Sequence, residues 1–202
     1  MLVARGASLL GASPQAGYVA CGTATFNGPR GSESGAIEVE AWGASHCRVT
    51  VDLSRPGEPR RWVAVLDGRR SQVTGPQGVA QALAAPSPVH GCALLPQSAI
   101  LAAASPEAAQ AAEAPALSLD PATGLPASLA WQSPAGRVEV AYADYQSSGG
   151  VAFPAKVTES LAGRVRLAVQ FTALTARSDF TEADFAVQGP PAPATHGDGG
   201  GQ

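Results

Sequence analysis

Residues 137–175 read RVEVAYADYQSSGGVAFPAKVTESLAGRVRLAVQFTALT, and this stretch decides the fold. In its last third Val165, Leu167, Val169, Phe171 and Ala173 occupy odd positions, with Arg164, Arg166, Gln170 and Thr172 at even ones. Successive side chains of a strand point to opposite faces, so this alternation makes one apolar and one polar face. The preceding piece repeats it, with Val151, Phe153, Ala155 and Val157 set against Lys156, Thr158 and Ser160. Leu161-Ala162-Gly163 is a short turn whose glycine can take positive φ, and Ser147-Ser148-Gly149-Gly150 is a second break. The stretch is therefore a three-stranded antiparallel meander. Asp144, read as the end of its first strand, is expected to cap the following turn rather than to titrate in a reaction.

The rest of the chain extends the pattern. Tyr18–Phe26, Ala36–Trp42, Cys47–Leu53, Arg61–Leu66 and Arg69–Thr74 read as five short strands joined by turns, Asp67-Gly68 being the strongest hairpin signal. Ala116–Asp120 and Leu125–Gln132 add two more around an Asp-Pro-Ala-Thr-Gly turn. Short strands at this spacing argue an antiparallel sheet rather than crossover units. Between the two groups the character changes. Val79–Ala85 is expected to form one or two helical turns, stopped by Pro86 and Pro88. Cys92–Ala104 reads as a helical, alanine-rich segment carrying Leu94, Leu95, Ile100 and Leu101. A second helix is expected from Ser105-Pro106-Glu107, where serine caps, proline takes the first position and glutamate favours the positive end of the dipole. It should stop before Pro115.

Composition narrows the function. The chain has 202 residues, 45% of them hydrophobic and only 14% charged, with a formal charge of −3. That is long enough for one domain with a sizeable core. The charge gives no basic stripe, which excludes nucleic acid as a partner. No stretch approaches the ~20 apolar residues of a membrane-spanning helix. Residues 17–187 are read as the domain, residues 1–16 as a truncated leader or disordered start, and the Pro/Gly-rich residues 188–202 as a disordered tail.

Catalytic patterns are missing. Gly31-Ser32-Glu33-Ser34-Gly35 has its serines misplaced for a nucleophile elbow, and there is neither a phosphate-binding loop nor a His-Glu-x-x-His zinc motif. His90-Gly91-Cys92 is the nearest thing to a nucleophile–base pair, with no third group in view. Cys21, Cys47 and Cys92 have no Cys-x-x-Cys spacing, so no metal site and no cofactor is expected. A Cys21–Cys47 bridge is open if their strands are neighbours; otherwise all three act as small buried apolar residues. Cys21 follows Tyr18-Val19-Ala20, which departs from a lipid-attachment motif.

Leu119-Asp120-Pro121-Ala122-Thr123-Gly124-Leu125-Pro126, then Val138–Tyr145, then Gly149-Gly150-Val151-Ala152-Phe153-Pro154, closing on Asp184-Phe185, resemble the C-terminal half of LolA/LolB-like outer-membrane lipoprotein-sorting proteins. The likeness covers about Ala116–Val187 and, more weakly, Ala20–Thr74. It implies a mainly β protein: a single strongly curved antiparallel sheet, an incomplete barrel, with short alanine-rich helices plugging its concave face. It further implies a non-enzymatic monomer of the bacterial periplasm or cell envelope that holds a lipid or lipoprotein acyl chain, with an envelope membrane protein as a second partner. Relatives carry a further glycine-bearing strand where Ala104–Pro115 is alanine-rich here.

Strands this long must coil, and a concave apolar face needs a plug. If the helices leave room, the candidate ligand-binding lining is Ile37, Val39, Val49, Val51, Trp62, Leu94, Leu101, Leu129, Trp131, Val157, Leu167, Val169 and Phe171. The alternative is that these residues form a closed core, and the protein is an envelope scaffold or interaction module without a transferable ligand.

Overall fold

The computed structural model describes residues 2–29, 31–55, 57–68, 70–83, 92–103 and 115–187. In chain order they form α1 (Leu2–Leu9), β1 (Gly17–Gly28), β2 (Gly31–Trp42), β3 (His46–Asp52), β4 (Arg61–Asp67), β5 (Ser71–Thr74) and β6 (Ala80–Leu83). These are followed by α2 (Pro96–Ala103), β7 (Ala116–Leu119), β8 (Pro126–Ser133), β9 (Gly136–Ser148), β10 (Val151–Leu161) and β11 (Arg164–Arg177), and a 3-10 turn at Glu182–Phe185 closes the domain.

All eleven strands belong to one sheet, ordered β6-β5-β4-β3-β2-β1-β11-β10-β9-β8-β7, and every pairing is antiparallel. Two meanders, β1–β6 and β7–β11, are joined by pairing the first strand with the last. The link between the meanders, which carries α2, therefore leaves from one sheet edge and returns at the other. The edge strands β6 and β7 have four residues each and do not pair with one another, so the sheet is not closed into a barrel. The expected incomplete barrel is what forms.

Two bulges in β11 change its alternation. Arg166 has no partner between the pairs Glu159–Leu167 and Ser160–Val165, and Thr172 has none between Cys21–Ala173 and Gly22–Phe171. Each extra residue inverts the side-chain phase and bends the strand. Val165, expected on the apolar face, is therefore turned out and 47% exposed, while Ala173 is exposed and Leu174 takes its buried place. Leu167, Val169 and Phe171, between the bulges, face the core as expected. Gly22 is required opposite the second bulge: a Cβ there would lie 2.1 Å from the Gln170 carbonyl oxygen.

Other expectations are corrected. The Val79–Ala85 helix is absent; β6 occupies Ala80–Leu83 and pairs with β5, because sheet pairing outweighs weak local helix propensity. Asp144 is not a turn cap. It lies inside β9 with φ +54° and pairs with Lys156 of β10 at 2.5 Å. Cys21 and Cys47 cannot bridge: Cys21 is opposite Glu38 and contacts its carboxylate on the convex face, whereas Cys47 is opposite Ala41 and buried on the concave one. The predicted helix after Ser105, the residues of the tail from 188 onward and His90 lie outside the described residues.

The helical plug is α2 with the turn before it. Its small side chains allow close approach, and Leu95, Ala99 and Ile100 are fully buried. Two hydrogen bonds and one packing contact fasten it: the Tyr142 hydroxyl donates to the Ala93 carbonyl (2.6 Å), Gln97 Nε2 donates to the Ala152 carbonyl (2.7 Å), and α1 packs on α2 where Gly6 meets Ile100. Residues 2–9 are thus helical, Leu10 is buried, and the Tyr18 hydroxyl donates to the Gly11 carbonyl. On the convex face the 3-10 turn inserts Phe185 against Trp42, His46 and Phe180, and Arg48 donates to the Asp184 carbonyl.

Candidate functional site

The concave face has a closed end and an open end. Antiparallel strands bring Tyr18, Ala41, Cys47, Leu66 and Leu174 to one end, and there residues 92–102 fill the sheet. The other end lies toward the β1–β2, β3–β4 and β10–β11 turns. An eight-residue helix is about 12 Å long, whereas a strand of 12 to 14 residues, such as β1 or β11, runs about 40 Å. The helix α2 is too short to cover the strands it sits on.

Among the described residues, what remains is an apolar groove of about 430 Å³. Phe26 of β1 and Leu167 of β11 form one wall. Ile37 of β2 with Val49 and Val51 of β3 form the floor. Leu53, just past the end of β3, with Trp62 and Ala64 of β4 and Val73 of β5, forms the far wall. Trp62 is 41% exposed, an unusual position for an indole, and its ring lies over Gly75, where a Cβ would come within 3.0 Å. At the rim Arg60 makes a two-pronged ion pair with Glu33, at 2.6 and 2.9 Å. That hydrogen-bonded guanidinium holds the Glu33 carboxyl below the usual carboxylate range. Beyond Trp62 and Arg60 the surface continues into a more polar depression bounded by Glu58, Gln77 and Gln81.

One carboxyl stands on the apolar face itself. Glu159 of β10 is opposite Val140 and Leu167, both buried, and is only partly exposed. Burial raises its pKa, and Arg166, the extra residue of the adjacent bulge, opposes that shift.

Of the thirteen residues expected to line a cavity, the structure brings Ile37, Val49, Val51, Trp62 and Leu167 together in the groove. Val39, Leu94, Leu129, Val157, Val169 and Phe171 are buried in the core shared by sheet and plug. Trp131 is half-buried at its margin, and Leu101 on α2 is partly exposed. Sequence reasoning missed Phe26, Leu53, Ala64 and Val73, which share the inward phase of their strands, and the Glu33–Arg60 pair, for which separation along the chain offers no signal. Among the described residues no group of three or more His, Cys, Asp or Glu is placed to hold a metal, and no helix is long and apolar enough to cross a membrane.

No family model and no curated protein matches the sequence. Solved structures do match the fold. A LolA superfamily protein of Nitrosomonas europaea aligns over 92% of this chain and 96% of its own, with TM-score 0.54 and 14% identity. A DUF1329 family protein of Desulfovibrio piger aligns over 92% and 94%, with TM-score 0.55 and 10% identity. A Vibrio parahaemolyticus domain, whose name assigns it to outer membrane lipoprotein sorting, aligns over 91% and 97%, with TM-score 0.54 and 6% identity. Identities this low speak for architecture alone, and on architecture the matches span nearly the whole of both chains: this protein has the LolA-like fold.

Proposed function

We propose that the protein is a non-enzymatic carrier of the bacterial cell envelope that holds one acyl chain of a lipid or lipoprotein in the groove at the open end of its sheet. The observation that carries this reading is the apolar groove that the described residues leave open, walled by side chains from six strands and by Leu53, with the Glu33–Arg60 ion pair at its rim. Burying methylenes there contributes about 0.8 kcal/mol each, so ten of them offer about 8 kcal/mol before the costs of association. The fold shared with a lipoprotein-sorting domain supports the cargo class. An extracytoplasmic location, a monomeric state and a membrane-protein partner that loads or unloads the groove belong to the same reading.

The test is extraction of lipid from the natively purified protein, followed by titration with a fluorescent fatty acid. Ala64→Trp, which fills the groove from β4, is expected to abolish binding while leaving the melting temperature within a few degrees of wild type. Absence of both co-purified lipid and probe binding would instead favour a scaffold with no transferable ligand.

A further inference from the structure

We infer that Cys47 and Cys92 are a disulfide-forming pair that fastens the plug to the sheet. Cys47 sits in β3 on the concave face, between Ala41 of β2 and Leu66 of β4. Cys92 opens the turn that leads into α2, its carbonyl accepting from the Leu95 amide. The two thiols are neighbours in the same apolar cluster, within reach of a mutual hydrogen bond, and each is at most 2% exposed. The third cysteine, Cys21, is held on the opposite face of the sheet against Glu38. The fold thus selects one pair from three thiols that sequence spacing leaves undistinguished. This holds whether or not the groove carries a lipid.

The chemistry is thiol–disulfide exchange with a disulfide oxidant such as oxidised glutathione. One cysteine loses its proton and its thiolate attacks the glutathione disulfide, releasing a first glutathione thiolate and leaving a mixed disulfide. The second cysteine, deprotonated in turn, attacks the protein sulfur of that mixed disulfide. The Cys47–Cys92 bond forms and the second glutathione leaves as thiolate. Two electrons pass from the protein thiols to the oxidant. Burial pushes the Cys92 thiol well above its ordinary pKa, so attack is suppressed once the chain has folded, and the bond closes while the plug is still settling. It closes a loop of roughly 45 residues, which restricts the unfolded chain and keeps residues 92–103 on the sheet.

The experiment is refolding of the full chain from urea in a glutathione redox buffer, with intact mass, non-reducing peptide mapping and thermal unfolding as readouts. The expected product has lost two hydrogens, yields a linked Cys47–Cys92 peptide and leaves Cys21 open to alkylation. Its melting temperature should rise by roughly 5–10 °C over the reduced protein, reversibly with dithiothreitol. Cys21→Ser should retain the linked peptide and the rise; Cys92→Ala should lose both. Refolded protein with both thiols free, a persistent glutathione adduct on Cys47 or Cys92, or a bridge to Cys21 would each overturn the assignment.

Discussion

The two ends of the concave face are built from the same kinds of residue and behave differently. At the closed end, Tyr18, Val39 and Phe171 of the sheet share one cluster with Leu95 and Ala99, and all five are at most 2% exposed. At the open end, Ile37, Val49, Val51 and Leu167 are equally apolar, yet they face a groove, and Trp62 stands half in solvent beside them. Among the described residues the difference is one of length, not of composition. The helix of the described plug, α2, is about 12 Å long, and the strands beneath it run about 40 Å. A periodic apolar face therefore says where a core can be built, and only the covering element says how much of it is.

That contrast can be broken by mutation. The largest effect is expected from truncation at the closed end: Leu95→Ala should cost about 2–5 kcal/mol by denaturant unfolding, because its neighbours cannot collapse into the space. Val73→Ala, at the open end, should cost less than about 1 kcal/mol, since its side chain faces a groove already empty. Equal costs would mean that the two ends are packed alike.

A smaller effect sharpens how the plug is held. Tyr142→Phe keeps the ring and removes the donor to the buried Ala93 carbonyl. Losing it should cost about 1–2 kcal/mol and should speed hydrogen exchange in residues 92–103 more than in β1–β3. Uniform acceleration across the sheet would show that the plug has no independent motion.

The legible part of the molecule was the sheet. Alternation in residues 137–175 and the Asp67-Gly68 turn correctly gave antiparallel neighbours, because a two-residue period is local and strong. The bulges at Arg166 and Thr172 were invisible, since each depends on the partner strand: the side chains of Val165 and Ala173 carry no mark of the register slip. Strand β6 was lost for a similar reason, as Ala80–Leu83 is a strand only through β5. The candidate lining was legible as a face but not as a site. Which of its thirteen residues meet the plug depends on the length of α2 and on where the chain crosses back between the sheet edges. The Glu33–Arg60 pair and the Cys47–Cys92 contact join residues far apart in sequence, and no spacing rule reaches them.

The smallest expected effect is a pH dependence at the open end. Glu159 has its folded-state pKa raised by burial, above the unfolded value of about 4.3. Between those two values the folded protein binds more protons than the unfolded chain, so this carboxyl's contribution to stability is full below about pH 4.3 and is lost as pH rises through the folded value. Glu159→Gln should remove that slope and be the more stable protein at neutral pH. A variant no more stable than wild type at pH 7 would show that the carboxylate is well solvated there.

The central claim is that the open end, and not the protein surface at large, takes an acyl chain. A brominated fatty acid quenches tryptophan fluorescence only at short range, and the chain has one indole in the groove, Trp62, and one on the convex face against Phe185, Trp42. Two single-tryptophan proteins, each with the other two indoles replaced by phenylalanine, should be titrated side by side. The Trp62 protein is expected to show saturable quenching and the Trp42 protein none; no quenching of Trp62, or equal quenching of both, would contradict the claim.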